Sequence, residues 1–355
     1  MPTLSKLLAA LLLVLISAAA FAAEKVPPEC SDDRGVDRCS PEQHRRVLEL
    51  YGLNPIEDHA RRGDQVRRAF YVDGYGRDLL AISFVRSAGR DPRVMLHIPK
   101  VSGDAVAEPS EALVPEPVWD RVLARGAHFD RALTPRSGAD EKSICLHSWV
   151  YTIEAAEGLP NHGRTAAVRR ETEDACENGL GWAYASDLAD FAVDLFPYCS
   201  ALERSQRRNS ETLLRTCATL KGDRLAAAKA HNQLFKLNQL SNPVLAAGSL
   251  NAFHDRATLE WAGEEIGGDQ HAAAKAWIER MSGKPSSDVF IRSLSGERSD
   301  RVRVQGELTR SVDATGQKAI RQRAPLTLIF TQKRPGSVFQ IERAIVGAFT
   351  PAPLN

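Results

Sequence analysis

The clearest pattern along the chain lies near its C-terminus. From Arg301 to Thr309 the even positions Val302, Val304, Gly306 and Leu308 are apolar or small, and the odd positions are Arg, Arg, Gln, Glu and Thr. A period of two predicts a half-buried strand. Leu326, Leu328 and Phe330 repeat it beyond the turn-like segment VDATGQ, and RPG at 334–336 predicts a hairpin turn. Phe339, Ile341, Arg343, Ile345 and Phe349 then fall on one face of a last long strand. Upstream the spacing becomes helical. In 223–239, Leu225, Ala228, His231 and Phe235 with Ala227, Leu234 and Leu237 form an apolar stripe. Asn242-Pro243 pairs an N-cap with a first helical position for a shorter helix toward Phe253, HDRATLEW reads as extended, and Asp269 caps a third helix through DQHAAAKAWIERM.

The first half alternates the same two patterns. Ser40-Pro41 with Gln43 forms a capping box, and a helix runs on to about Tyr51. Val66–Val72, Leu79–Val85 and Arg93–Ile98, separated by turn-rich segments, predict an antiparallel meander. Residues 101–117 and 155–172 lack periodicity and read as loops. Helices are expected over Trp119–Phe129, Leu180–Phe196 and Ser210–Leu220, and a strand over Ile144–Ile153, which carries Cys145, His147, Trp149, Tyr151 and Ile153 on one face. The fold class is therefore α+β, in two units: residues 24–220, and residues 222–350, where helices precede strands.

Composition sharpens this picture at three points. The stretch MPTLSKLLAALLLVLISAAAFAA has one Lys, an apolar core and an A-x-A site at Ala20-Phe21-Ala22, which predicts a signal peptide cleaved after Ala22. The expected location is a bacterial periplasm or the exterior, without stable membrane insertion after cleavage. All six cysteines, Cys30, Cys39, Cys145, Cys176, Cys199 and Cys217, lie beyond that site. An even number in an exported chain reads as disulfides, with neighbours in sequence paired: Cys30 with Cys39, Cys145 with Cys176 and Cys199 with Cys217. Lys+Arg 46 against Asp+Glu 45 gives a formal charge of +1, and no single-sign run occurs, so nucleic acid is not an expected partner. The dibasic pairs beginning at Arg61, Arg67, Arg169 and Arg207 read as solvated surface.

The capped helix at 223–239, the phrase LNAFHDRATLEWAGEEIGGDQHAAAKAWIERM and the closing strand VFQIERAIVGAF together resemble the nuclear transport factor 2-like (SnoaL-like) family, over about residues 222–350. The N-terminal unit resembles no known family. The resemblance implies three helices packed on a curved antiparallel sheet that closes over a conical pocket. It does not imply one chemistry, because members include isomerases, dehydratases, cyclases and non-catalytic binders. Isomerase-type members place a tyrosine donor in the cone. No tyrosine occurs here after Tyr198, so that donor has no counterpart.

The candidate pocket-lining residues are His231, His254, Asp255, Trp261 and Arg343. A histidine and a carboxylate exchange protons near neutral pH, and an arginine holds a carboxylate by its fork. Each also has a plainer role, His231 and Trp261 in packing, Asp255 in a turn and Arg343 in a surface ion pair. No P-loop, dinucleotide fingerprint, GxSxG or HExxH occurs, no catalytic residue is assigned, and no metal or cofactor is expected. The residues favour an exported protein that binds a small apolar or carboxylate ligand, a protein partner or a second copy of itself. The alternatives are a proton-transfer enzyme using His254, Asp255 or Arg343, and an inhibitor of an exported toxin. Intact-mass spectrometry of the exported chain is expected to show Ala23 as first residue and a mass six hydrogens below the reduced form. Retention of residues 1–22 would refute the cleavage site.

Overall fold

The computed structural model describes residues 39–100, 108–129, 149–157, 167–174, 180–202, 209–240, 250–267, 271–281, 287–312 and 320–351. The proposed signal peptide, Cys30, Cys145, Cys176, His147, Arg207, Asn242, Pro243 and Asp269 lie outside them. No helix among the described residues is long and apolar enough to cross a membrane.

The chain begins with α1 (Pro41–Tyr51) and α2 (Ile56–Arg62). Ser40 Oγ accepts the Gln43 backbone N–H at 3.2 Å, as the capping box requires. Six antiparallel strands follow: β1 (Gln65–Val72), β2 (Asp78–Arg86), β3 (Arg93–His97), β4 (Ser110–Leu113), β5 (Val150–Glu157) and β6 (Ala167–Asp174), in the order β4-β3-β2-β1-β5-β6. The expected meander is β1 to β3. Both faces of this sheet are covered. Val66 and Phe70 meet Ile56, Ala60, Leu48 and Tyr51 of α1 and α2. Ala69 and Tyr71 belong to the main core with Trp119 and Val122 of α3 (Glu116–Phe129), Leu188 of α4 (Leu180–Leu195) and Leu214 of α6 (Ser210–Thr219). Between α4 and α6 lies the short α5 (Pro197–Ser200), and Cys199 and Cys217 form the expected disulfide. Its closed loop is worth about 3 kcal/mol in the chain-entropy account. Cys39 is also disulfide-bonded.

Two segments expected as loops contain strands. β4 and β6 are the sheet edges, and an edge strand pairs on one side only and keeps polar side chains, so AVRRETED and SEAL show no apolar alternation. The reading of Arg67 as solvated surface is also corrected. Arg67 and its neighbour Arg68 are each 1% exposed, because β1 is the inner strand of a sheet covered on both faces. Arg67 pairs with Glu157. Arg68 donates to Glu154 at 3.1 Å, to Ser83 Oγ at 3.2 Å and to Asn54 O at 3.0 Å. Glu154, fully buried, also meets Arg170 at 2.8 Å and His44 Nε2 at 3.0 Å. His59 bridges Asp64 at 2.9 Å and Arg68 at 3.3 Å. This ionic network bonds α1 and α2 to the sheet.

The second sheet joins β7 (Leu220–Gly222), β8 (Phe253–Trp261), β9 (Glu264–Ile266), β10 (Ser287–Arg298), β11 (Arg301–Val312), β12 (Ile320–Thr331) and β13 (Gln340–Val346) in the order β7-β10-β11-β12-β13-β8-β9, and β14 (Thr350–Pro351) pairs with β12. Pairing is antiparallel except β7 with β10 and β8 with β13. At the β7–β10 crossing Gly222 has φ +63°, and a Cβ there would lie 2.2 Å from Gly296 O, so only glycine fits. α7 (Arg224–Leu240) packs on β10 and α8 (Ala272–Met281) on β8, with a 3-10 turn at Leu250–Ala252. Helices followed by long strands is the order that the family resemblance implied.

Burial pushes the Glu154 carboxyl up, but the His44 hydrogen bond and the charges of Arg68, His44 and Arg170 outweigh it and hold it below its ordinary value. Its stabilisation is therefore complete above about pH 4.5 and lost as pH falls through the lower folded value. His59, pulled down chiefly by burial, adds stability that is lost as pH falls below its ordinary 6.5. Glu154→Gln, measured by urea unfolding, is expected to cost about 3 kcal/mol at pH 7 by leaving buried cations uncompensated. That deficit is expected to shrink at acid pH. An unchanged unfolding midpoint at pH 7 would refute a stabilising role for this network.

Candidate functional site

β8 and β13 run parallel with Phe253 opposite Ile341, and the next pairing is Thr258 opposite Arg343. His254, Asp255, Arg256 and Ala257 thus stand against Glu342 alone, and β8 must arch away from its partner. On the other edge of β13 the register to β12 slips at the same place, from Ile329–Arg343 to Phe330–Ile341. A bulge shared by both ladders leaves backbone unpaired and re-aims side chains. Here it opens a cleft of ≈ 530 Å³ lined by His254, Asp255, Arg256, Thr331, Lys333 and Glu342.

Most of the lining charges have partners. Lys333 Nζ donates to Asp255 Oδ2 at 3.1 Å, and Arg301 Nη1 donates to Glu342 Oε2 at 3.0 Å. Asp255 O accepts the His271 backbone N–H at 2.8 Å, which fixes the arch. His254 Nε2 and Thr331 Oγ1 are 2.9 Å apart. Partial burial and the Lys333 charge hold His254 below its ordinary value, against the opposing pull of the Thr331 bond, Glu342 and Asp255. It is therefore neutral at pH 7. The hydrogen bond from Lys333 and its charge hold Asp255 ionised. Arg256, exposed, has no ion-pair partner among the described residues. The cleft thus offers one uncompensated positive charge beside a lysine, a neutral imidazole and a hydroxyl. That set accommodates one small anion and holds one group able to accept a proton.

The five candidates do not form one site. His254 and Asp255 share the cleft. His231 lies on α7, its Nδ1 buried without a hydrogen-bond partner among the described residues, and burial pulls its pKa down to about 4. Trp261, 6% exposed, sits in the core with ring centroids 5.8 Å from Trp277 and 5.7 Å from Phe349. Arg343 leaves the face expected from alternation: the slip at Glu342 turns Ile341, Ala344 and Val346 inward. Its side chain is 51% exposed and donates to Glu260 at 3.3 Å. Arg256, Thr331, Lys333 and Glu342 escape sequence reasoning because their neighbourhood is made by the double slip. The only local hint is the RPG turn, which fixes where β12 ends.

A second hollow, of ≈ 380 Å³, lies at the first sheet around Gly63, Gln65 and Ser87. Its Arg86 and Glu116 pair with each other.

No protein-family model and no curated protein matches the chain. Solved structures similar to about a third of it are nuclear transport factor 2-like proteins. A hexachlorocyclohexane dehydrochlorinase (LinA type 3) from Novosphingobium barchaimii shares 18% identity, with 37% of this chain and 92% of that chain covered and a TM-score of 0.29. A scytalone dehydratase-like protein from Novosphingobium aromaticivorans shares 9%, covering 35% and 86%, with a TM-score of 0.28. A nuclear transport factor 2-like protein from Cytophaga hutchinsonii shares 9%, covering 34% and 89%, with a TM-score of 0.22. At these values no activity is carried from them to this chain.

Arg343→Ala removes only a surface ion pair. It is expected to change stability by less than about 1 kcal/mol and to leave ligand binding at the cleft unaltered, as read by thermal unfolding and calorimetry. A loss of binding would place Arg343 in the site.

Proposed function

We propose that the protein is an exported binding protein whose second sheet takes a small polar carboxylate in the cleft at the β8 arch. Arg256 carries this reading: it is the cleft's one cation without a carboxylate among the described residues, placed beside Lys333 and neutral His254. A ligand carboxylate accepts from the Arg256 fork and from Lys333, which its bond to Asp255 holds in place. His254 and Thr331 then supply donor and acceptor positions for a hydroxyl next to the carboxylate. Isothermal titration with succinate and malate tests this. Saturable binding is expected, tighter for malate, and Arg256→Ala is expected to weaken it at least about tenfold, or 1.4 kcal/mol. Absence of binding of either acid, or equal binding by the variant, would refute the reading.

The neutrality of His254 favours a second reading, catalysis of proton transfer at the carbon beside the bound carboxylate. Its sign would be exchange of that carbon's hydrogen for deuterium in D2O, followed by NMR and abolished by His254→Gln while binding persists. Binding without exchange leaves the binding protein alone standing.

A further inference from the structure

The opposite end of the same sheet holds a different kind of uncompensated charge. Arg310 pairs in register with Gln322 across β11 and β12. It lies nine positions along β11 from Arg301, about 30 Å at strand rise, so it is remote from the cleft. Two residues from buried Leu308, it shares that residue's helix-covered face of the sheet. Its guanidinium lies over the Phe349 ring at 3.6 Å from the centroid, and its Nε donates to Gln322 Oε1 at 3.0 Å. Stack and hydrogen bond fix the plane of the fork, and its terminal nitrogens have no hydrogen-bond partner among the described residues.

No carboxylate pairs with Arg310 among the described residues, and burial pulls its pKa below the ordinary value. A neighbouring cation shows the contrast. Arg280 lies over Trp261 at 5.4 Å and is neutralised by Glu264 at 2.6 Å. Trp261 contacts Phe349 on one side and Trp277 on the other. Trp277 is 1% exposed, and its Nε1 is buried without a hydrogen-bond partner among the described residues. The aromatic row therefore ends in a partly buried, oriented cation and contains a buried donor without an acceptor among the described residues. Phe349 is held in place by its neighbours: Thr350 and Pro351 pair with Arg323 and Gln322, and Gly347 N donates to Pro325 O at 2.9 Å.

We propose that Arg310 anchors a second binding site, for an apolar monocarboxylate such as an aromatic acid. The carboxylate accepts from the two terminal nitrogens of the guanidinium, in its plane, and the apolar body rests on the half-buried Phe349. A partly buried guanidinium with no carboxylate partner among the described residues gains a counter-charge from a ligand carboxylate, which its planar fork binds at two points. Phe349 also selects for an apolar body, which the polar cleft at His254 does not.

The test uses the whole chain with benzoate as probe and benzamide as its neutral counterpart, read by calorimetry and by tryptophan fluorescence, since Trp261 is in contact with Phe349. Saturable benzoate binding that changes the fluorescence is expected, with no binding of benzamide. Arg310→Gln is expected to weaken benzoate binding at least about tenfold, while Arg343→Ala, an arginine lost from the outer face, keeps it. Should Arg310→Gln lose its native circular dichroism, Phe349→Leu replaces it, with a several-fold loss expected. Saturating succinate is expected not to displace benzoate, so failure at the cleft and failure here are read separately. No benzoate binding, equal affinity in Arg310→Gln, or displacement by succinate would each overturn the proposal.

Discussion

An inner strand has neighbours on both edges, so an extra residue in it must be absorbed by both ladders at once. Glu342 is that residue in β13 against β12, and against β8 the surplus lies in β8 itself, where His254 to Ala257 stand opposite Glu342 alone. β8 responds by arching out over His254 to Ala257, and the arch walls the cleft. The same slip reverses the alternation of β13, so that Ala344 and Val346 enter the core and Arg343 faces out to Glu260. The two irregularities that meet at Glu342 therefore decide which residues of two strands are core and which are site.

Charge is handled differently in the two halves of the molecule. In the first sheet the buried charges form a closed network, with Glu154 taking Arg68, Arg170 and His44 at once and Asp64 taking His59. The buried Arg67 and Arg68 each have a carboxylate partner, which suits a structural role: breaking such a network costs more than its formation gains. In the second sheet Arg256 and Arg310 have no carboxylate among the described residues, although Lys333 and Arg280 beside them do. A missing counter-charge next to satisfied ones is a physical reason to look there for a ligand. The two positions differ in surroundings, polar at Arg256 and aromatic at Arg310, and so differ in the body of the acid that each would accept.

The sequence by itself determined the elements whose apolar pattern is complete within one segment. The Ser40 cap, strands β1 to β3, helix α4, the alternating β11 and β12 and the Cys199–Cys217 pair all depend on near neighbours in the chain. The edge strands β4 and β6 were illegible because their side chains are mostly polar, as edge strands tolerate, and neither SEAL nor AVRRETED carries an apolar period. Arg67 and Arg68 carry charge and read as surface, and only the helices laid over both faces of β1 bury them. His254 and Asp255 could be named as candidates from their types alone. That they meet Thr331 and Lys333, 77 and 78 positions away, follows from strand register. Register is a property of pairs of strands, set where a bulge falls, and a single strand's sequence holds no record of it.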